Sequence, residues 1–425
     1  MMIFILFATF AVFLLVGLPL AFAMGLSAIA AIFLGSGQSL FIIPQRIYGS
    51  LDSFALLAVP LFILAGELMN SGGITERIVR FSRSAMGHFK GGLAQANILS
   101  NMFMAALSGS SLADLSAIGS MMIPAMAREG YKKSFAVAVT SCAALMAPII
   151  PPSVIAVIYG SITGISIGAL FLAGAIPGIM AGLGIMILTR VMASKSGAKA
   201  MPRGSWSQFA GTGLSALPAM AVPVIIVGGI LSGIFTPTEA GAVAVAYALV
   251  FGIMTRKHNA GGLYSLIISA GVTTSSALLT LAGASLFSYV LVASGFAQAT
   301  LDLLVATTDT PWQAMLLVFL ILVVLGMFVE TVSALILVTP ILIPIVGHYG
   351  FNEIQFGIFT LMTLVMGGLT PPVGILAMVA CRIAGIEYGK TFGMLTPFIL
   401  WWAVATLLVG FVPALTTWLP SMVLN

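Results

Sequence analysis

Charge is what this sequence has least of. Of its 425 residues 6% are Asp, Glu, Lys or Arg and 60% are hydrophobic, against roughly a quarter charged in an average soluble domain. Such a composition is that of a polytopic membrane protein. Short alternating segments are missing too, so the continuous apolar runs exclude a β-barrel and leave room for about ten or more helical crossings of a hydrocarbon core roughly 30 Å thick. Two cysteines, Cys142 and Cys381, stand in apolar surroundings and are read as small packing residues rather than a disulfide. Three histidines, His88, His258 and His348, show no metal-ligand spacing. No Lys or Arg precedes Arg46. The apolar start, which continues to Leu34 despite "AFA" at 21–23, therefore lacks the positive region of a cleaved signal and is expected to be retained as membrane helix. The run 2–34 is long for one span and short for two, with Gly17 to Pro19 as its possible break.

What the chain does have is 46 glycines and 20 prolines, which suit close helix packing and helices that break inside a bundle. Its net charge of +5 comes from short basic clusters at 77–90, 128–133, 190–203, 256–257 and 382–390. Placed beside apolar spans, these are topology markers for the cytoplasmic side rather than a nucleic-acid surface. Between the first two clusters the chain runs apolar for about 15 residues, roughly 22 Å of helix, meets "SGSS" at 108–111, and runs apolar again to Arg128, Lys132 and Lys133. Two basic feet predict a re-entrant hairpin with 108–111 at its tip. The following segment, 134–159, is long enough to cross but is interrupted by "APIIPPS" at 147–153, where prolines remove donors and push their neighbours out of helical conformation.

Adding 220 to a residue number reveals an internal repeat: Pro124 maps to Pro344, Gly130 to Gly350, Tyr131 to Phe351, Pro151 to Pro371 and Pro152 to Pro372. The second half again places a polar tip, "ETVS" at 330–333, between apolar arms, followed by a segment broken at "GGLTPPVG", 367–374. Yet no Lys or Arg occurs from His258 to Cys381, whereas Asp302, Asp309 and Glu353 do. The second hairpin is therefore expected to enter from the periplasmic side, which requires one crossing near 273–296, with 261–270 lying along the interface.

Two oppositely oriented tips and two broken helices meeting near the midplane are how secondary transporters build a substrate and ion site. Hydroxyls and carbonyls at such tips suit a cation, and helix N-termini suit an anion. The candidate residues are Ser108, Gly109, Ser110, Ser111 and Asp114 with Pro148, Pro151, Pro152 and Ser153 in the first repeat. In the second they are Glu330, Thr331 and Ser333 with Thr370, Pro371, Pro372, Val373 and Gly374. Taken singly, each Ser, Gly or Pro has an equally ordinary reading as a packing or kinking residue. Asp114 and Glu330, costly inside a membrane, each keep two readings, a structural cap or an ion-site and gating group. Glu67 and Glu239 read as supports of helix ends and turns. An intramembrane hydrolase using Ser110 lacks a base within any apolar span, so the protein is not read as an enzyme. A channel would more naturally show a ring of equivalent residues from several subunits.

"LSGSSLAD", "APIIPPS", "FTPTEAGAVA" and "GLTPPVG", in that order across nearly the whole chain, resemble the large membrane subunit of tripartite ATP-independent periplasmic (TRAP) transporters. The resemblance implies a sodium-driven importer of organic acid anions in the bacterial inner membrane, with sodium as coupling ion and no other cofactor. It also implies a periplasmic substrate-binding protein, a separate small four-helix membrane subunit, and an elevator movement of a transport domain against a scaffold. The expected all-α organisation is an N-terminal scaffold (1–53), a first repeat (54–190) with hairpin 93–127 and broken helix 134–159, a cytoplasmic connection and scaffold helix pair (191–260), and an inverted second repeat (261–425) with hairpin 312–346 and broken helix 354–380. The alternative is a stand-alone ion-coupled dicarboxylate symporter of the divalent-anion/sodium type.

Overall fold

The computed structural model describes residues 1–35, 39–193, 205–257 and 260–424. Lys195, Lys199, Arg203 and His258, which belong to the basic markers and histidines above, lie outside the described residues. All regular structure described is helical. The N-terminal run breaks at Val16 to Pro19, where Gly17 takes φ +87°, into α1 (Met2–Leu15) and α2 (Leu20–Gly35). These are followed by α3 (Ile42–Leu51), α4 (Ala58–Ser71) and α5 (Ile74–Met86). Next come the paired helices α6 (Gly92–Ser108) and α7 (Ser111–Arg128), the interrupted pair α8 (Lys133–Ala144) and α9 (Val154–Thr163), and the long α10 (Ile167–Ala193). Helices α11 (Trp206–Leu231) and α12 (Pro237–Met254) run out and back around "TPTEAG". There Glu239 accepts from Thr236 N at 2.8 Å while Thr236 Oγ1 accepts from Glu239 N, a reciprocal cap that fixes the turn.

In the second half, α13 (Ala260–Ala293), α14 (Phe296–Thr307), the pair α15 (Pro311–Phe328) and α16 (Thr331–Tyr349), the interrupted pair α17 (Glu353–Gly367) and α18 (Ile375–Ala384), α19 (Phe392–Phe411) and α20 (Ala414–Leu424) complete the chain. Helix bounds recur at the offset of 220: α6, α7, α8 and α9 shifted by that amount fall on α15, α16, α17 and α18 within three residues at either end. Among the described residues, eight helical segments are long and apolar enough to cross a membrane.

Two expectations change. The stretch 261–270 does not separate from the crossing that follows, because α13 is one helix of 34 residues. Its hydroxyls do not break it: Thr273, Ser276 and Thr280 donate to the carbonyls of Ser269, Val272 and Ser276 four residues back, at 2.8–3.0 Å. The hairpin arms are also longer than their apolar runs, at 17, 18, 18 and 19 residues, because helical hydrogen bonding continues through the polar flanks. Arms α15 and α16 thus count among the eight segments of spanning length.

Residues Phe135–Ala144 of α8 and Gln355–Gly367 of α17 are buried without exception, so the first halves of both interrupted helices form the centre of the molecule. Around them helices approach through glycine. Gly174 and Gly178, one turn apart on α10, face the Ile149 carbonyl and the Ile150 side chain so closely that any Cβ would collide. Polar groups in this interior are tied to backbone: Gln355 Nε2 donates to Val409 O and Gly410 O, and Trp402 Nε1 to Met362 O. Cys142 and Cys381 are buried free thiols.

Candidate functional site

The link between α6 and α7 is two residues long. Gly109 adopts φ +61° at the end of α6, and Ser110, extended at φ −128°, starts α7 with its side chain accepting from Ala113 N at 3.5 Å. Gly109 lies directly on the break between α8 and α9: a Cβ there would sit 3.1 Å from both Pro152 O and Val154 N. The break is held in shape by Ser153, whose hydroxyl donates to Pro148 O at 2.6 Å and accepts from Ala156 N at 3.1 Å, capping α9. The structure therefore brings 108–111 and 148–153 together. On the other side Gly66 of α4 lies against Ser108 Cα and Leu107 O.

Asp114, in the first turn of α7, is completely buried. It does not cap the helix; Ser110 does. Instead Asp114 Oδ1 accepts from Ser108 Oγ at 2.5 Å, tying the end of α6 to the start of α7. Its Oδ2 and the Ser111 hydroxyl are buried without a hydrogen-bond partner among the described residues. A buried carboxylate oxygen left unpaired costs several kcal/mol in such surroundings, so the tip presents an unmet demand for a cation or proton. The donor set, a carboxylate, hydroxyls and carbonyls, suits a hard cation rather than a transition metal. Among the described residues no group of three or more His, Cys, Asp or Glu could hold a metal ion.

The second tip differs. Glu330 is the exposed N-cap of α16, accepting from Ser333 N at 3.1 Å and Ser333 Oγ at 3.3 Å, and Thr331 begins the helix. The close approach lies one turn earlier, where Gly326 of α15 and Gly367 of α17 meet backbone to backbone. The break between α17 and α18 is bridged by Leu376 N donating to Gly368 O at 3.0 Å. Thr370 Oγ1 donates to Met366 O at 2.9 Å, and Gly374, at φ +56°, faces the Tyr388 hydroxyl. Pro371 and Pro372, like Pro151 and Pro152, are joined by a cis peptide, with Val373 following. Tyr388 thus lies against Gly374 and donates to Leu369 O at 3.4 Å, and among the described residues no hydrogen bond joins this break to 330–333, whereas the close approach of Gly109 joins the first tip to its break.

Residues missed from sequence are Gly66, Gly174, Gly178 and Tyr388. The four-residue spacing of Gly174 and Gly178 was a readable packing signal; Gly66 and Tyr388 carried none. Glu67, rather than supporting a helix end, accepts from Ser269 of α13 at 3.1 Å and so links α4 to α13.

Buried interrupted helices with a polar hairpin tip laid on a break define the class, a helical membrane transport protein. In overall fold the chain is similar to the YdaH transporter of Alcanivorax borkumensis, with a TM-score of 0.62 at 15% identity, covering 97% of this chain and 100% of that one. Residues 7–415 match the family described as the tripartite ATP-independent periplasmic transporter, DctM component. The chain is 35% identical over 410 residues to the sialic acid TRAP transporter large permease protein SiaM of Vibrio cholerae, covering 96% of each. It is 34% identical over 400 residues to the C4-dicarboxylate TRAP transporter large permease protein DctM of Pseudomonas aeruginosa, covering 94% of each. The chain belongs to the DctM family of TRAP transporter large permease subunits. It is a multi-pass inner-membrane permease and not an enzyme.

Proposed function

We propose that this permease imports organic acid anions coupled to sodium, working with a small four-helix membrane subunit and a periplasmic substrate-binding protein. Two relatives are named for sialic acid and for C4-dicarboxylates, both carboxylates, which supports that substrate class. The observation that carries the ion site is the first tip: Gly109 on the Pro152–Val154 backbone, with Asp114 Oδ2 and Ser111 Oγ at the start of α7 buried and without a hydrogen-bond partner among the described residues. The second site is proposed at Glu330, Thr331 and Ser333 with Thr370 to Gly374.

The hairpin tips lie at mid-membrane, with the outer turns of their arms extending past the hydrocarbon, and the hairpins enter from opposite faces. Mid-depth is supported for the first tip because it rests on a break flanked by helices of 12 and 10 residues, each about half a crossing. Opposite entry is supported by charge: Lys90, Arg128, Lys132 and Lys133 stand at the feet of the first hairpin, and Asp309 and Glu353 at those of the second. The recurrence of helix bounds at 220 supports two repeats, inverted by that difference. Hairpins and interrupted helices then travel as one elevator domain against a scaffold of 1–53 and 191–260. Anion and cation are held together because a partly neutralised site crosses the hydrocarbon at lower cost than either charge alone.

The test is uptake of labelled carboxylates into proteoliposomes containing the permease and its small subunit, with and without an inward sodium gradient and the cognate binding protein. Uptake requiring both is expected. Uptake by the permease alone that ignores the binding protein would sink the tripartite reading in favour of a stand-alone symporter. Uptake indifferent to sodium would sink the coupling.

A further inference from the structure

Between α5 and the distal part of α7 lies an open cavity of about 610 Å³, lined among others by Glu76, Arg80, Arg83, Met121, Met122 and Arg128. Its charges do not cancel. Glu76 is engaged by Lys257 at 3.8 Å, and Arg83 is engaged by Glu129 at 3.6 Å. Arg80 spends its Nε on the Glu76 backbone carbonyl at 3.4 Å, which leaves its charge uncompensated. The Arg128 guanidinium has no hydrogen bond or ion pair among the described residues. Among the described residues, two guanidinium groups therefore face one cavity with no ion-pair partner of their own, beside a part-exposed methionine.

The apolar lining decides between sources of an anion. A small hydrophilic anion gains nothing from the part-exposed Met121, Pro124 and Ala125, whereas an amphiphile uses both parts, its phosphate on the guanidinium groups and its glycerol and upper acyl chain against Met121. Helix α5 has the build of an interfacial element: Ile74, Ile78 and Val79 are buried and Glu76 and Arg80 exposed, and basic residues continue to Lys90. Basic clusters of this kind mark the cytoplasmic leaflet, where anionic lipids reside, and basic pockets between helices on that side accept their head groups.

We propose that this cavity is a binding site for the phosphate head group of an anionic phospholipid, held by Arg80 and Arg128 across α5 and the foot of the first hairpin. Since Arg77 is anchored to α11 and α12, through the Ser215 carbonyl at 3.4 Å and the Phe251 ring at 5.1 Å, a lipid held there clamps the hairpin foot to those helices.

The test uses purified permease in detergent and does not depend on transport. Dioctanoyl phosphatidylglycerol, dioctanoyl phosphatidylcholine and inorganic phosphate are added separately, and thermal unfolding and lipid adducts in native mass spectra are recorded for wild type, R80Q/R128Q and R80K/R128K. Phosphatidylglycerol is expected to raise the unfolding temperature of wild type and of the lysine variant by about 2 °C or more, with retained adducts, and to leave the glutamine variant unmoved. An equal response in the glutamine variant, or to phosphatidylcholine, would overturn the site. A full response to inorganic phosphate alone would overturn the lipid as its occupant.

Discussion

At Asp114 a structural and an electrostatic role coincide in one carboxylate. One oxygen receives the Ser108 hydroxyl and the other is buried without a hydrogen-bond partner among the described residues, so holding the tip and binding a cation use different atoms. Asp114→Asn retains an oxygen for Ser108 and removes the charge; Asp114→Ala removes both. Sodium-dependent uptake is expected to fall at least about tenfold in both variants. The folded state should be destabilised chiefly in the alanine variant, by about 1–3 kcal/mol for the lost charged hydrogen bond. Wild-type sodium affinity in Asp114→Asn would reduce the carboxylate to a brace. Glu330 is the contrast, an exposed cap on Ser333. Since Glu330→Gln keeps an acceptor for the Ser333 amide, its unfolding temperature should stay close to that of wild type, and a fall in sodium-dependent uptake in the same proteoliposomes is expected from loss of the carboxylate at the proposed second site. The asymmetry was readable in part, because the residue 220 after Asp114 is Ala334. Which oxygen meets which hydroxyl was not, because it depends on the angle at which α6 and α7 leave Gly109.

The helix pairs owe their shape to a few backbone positions, and two glycines separate the reasons. Gly109 and Gly130 both adopt positive φ, +61° and +90°, but Gly109 lies on the Pro152 carbonyl and the Val154 amide while Gly130 has nothing among the described residues within 4 Å of its missing Cβ. Alanine at either site incurs about 1–2 kcal/mol of left-handed strain. Only Gly109→Ala also pushes the tip off the break. Uptake should therefore be nearly abolished in Gly109→Ala and stay within about threefold of wild type in Gly130→Ala, with similar unfolding temperatures. Equal uptake in the two would mean that the contact between tip and break does not serve transport. These tips and breaks were legible because Ser, Gly and Pro interrupt otherwise apolar runs at 108–111 and 147–153. The continuity of α13 was not, because serines and threonines that break a run in a hydropathy reading are satisfied inside a helix by carbonyls of the preceding turn.

For the whole molecule, the offset of 220 relates helix to helix but says nothing by itself of direction, since a repeat in sequence is the same whether its copies lie parallel or inverted in the membrane. Direction rests on charge. Lys133 and Glu353 are 220 apart, both exposed, and both begin the first half of an interrupted helix, α8 and α17. Inversion places one in the cytoplasm and the other in the periplasm. In a background lacking Cys142 and Cys381, which are buried, single cysteines at the two positions can be labelled with a membrane-impermeant maleimide. Glu353→Cys is expected to react in intact spheroplasts and to be protected in inside-out vesicles, and Lys133→Cys to do the reverse. If both label from the same face, the repeats are parallel, the two tips cannot approach from opposite sides, and the shared midplane site fails with them. If they label from opposite faces, the scarcity of Lys and Arg between 258 and 381 acts as an orientation signal that turns one sequence motif into two halves of a site.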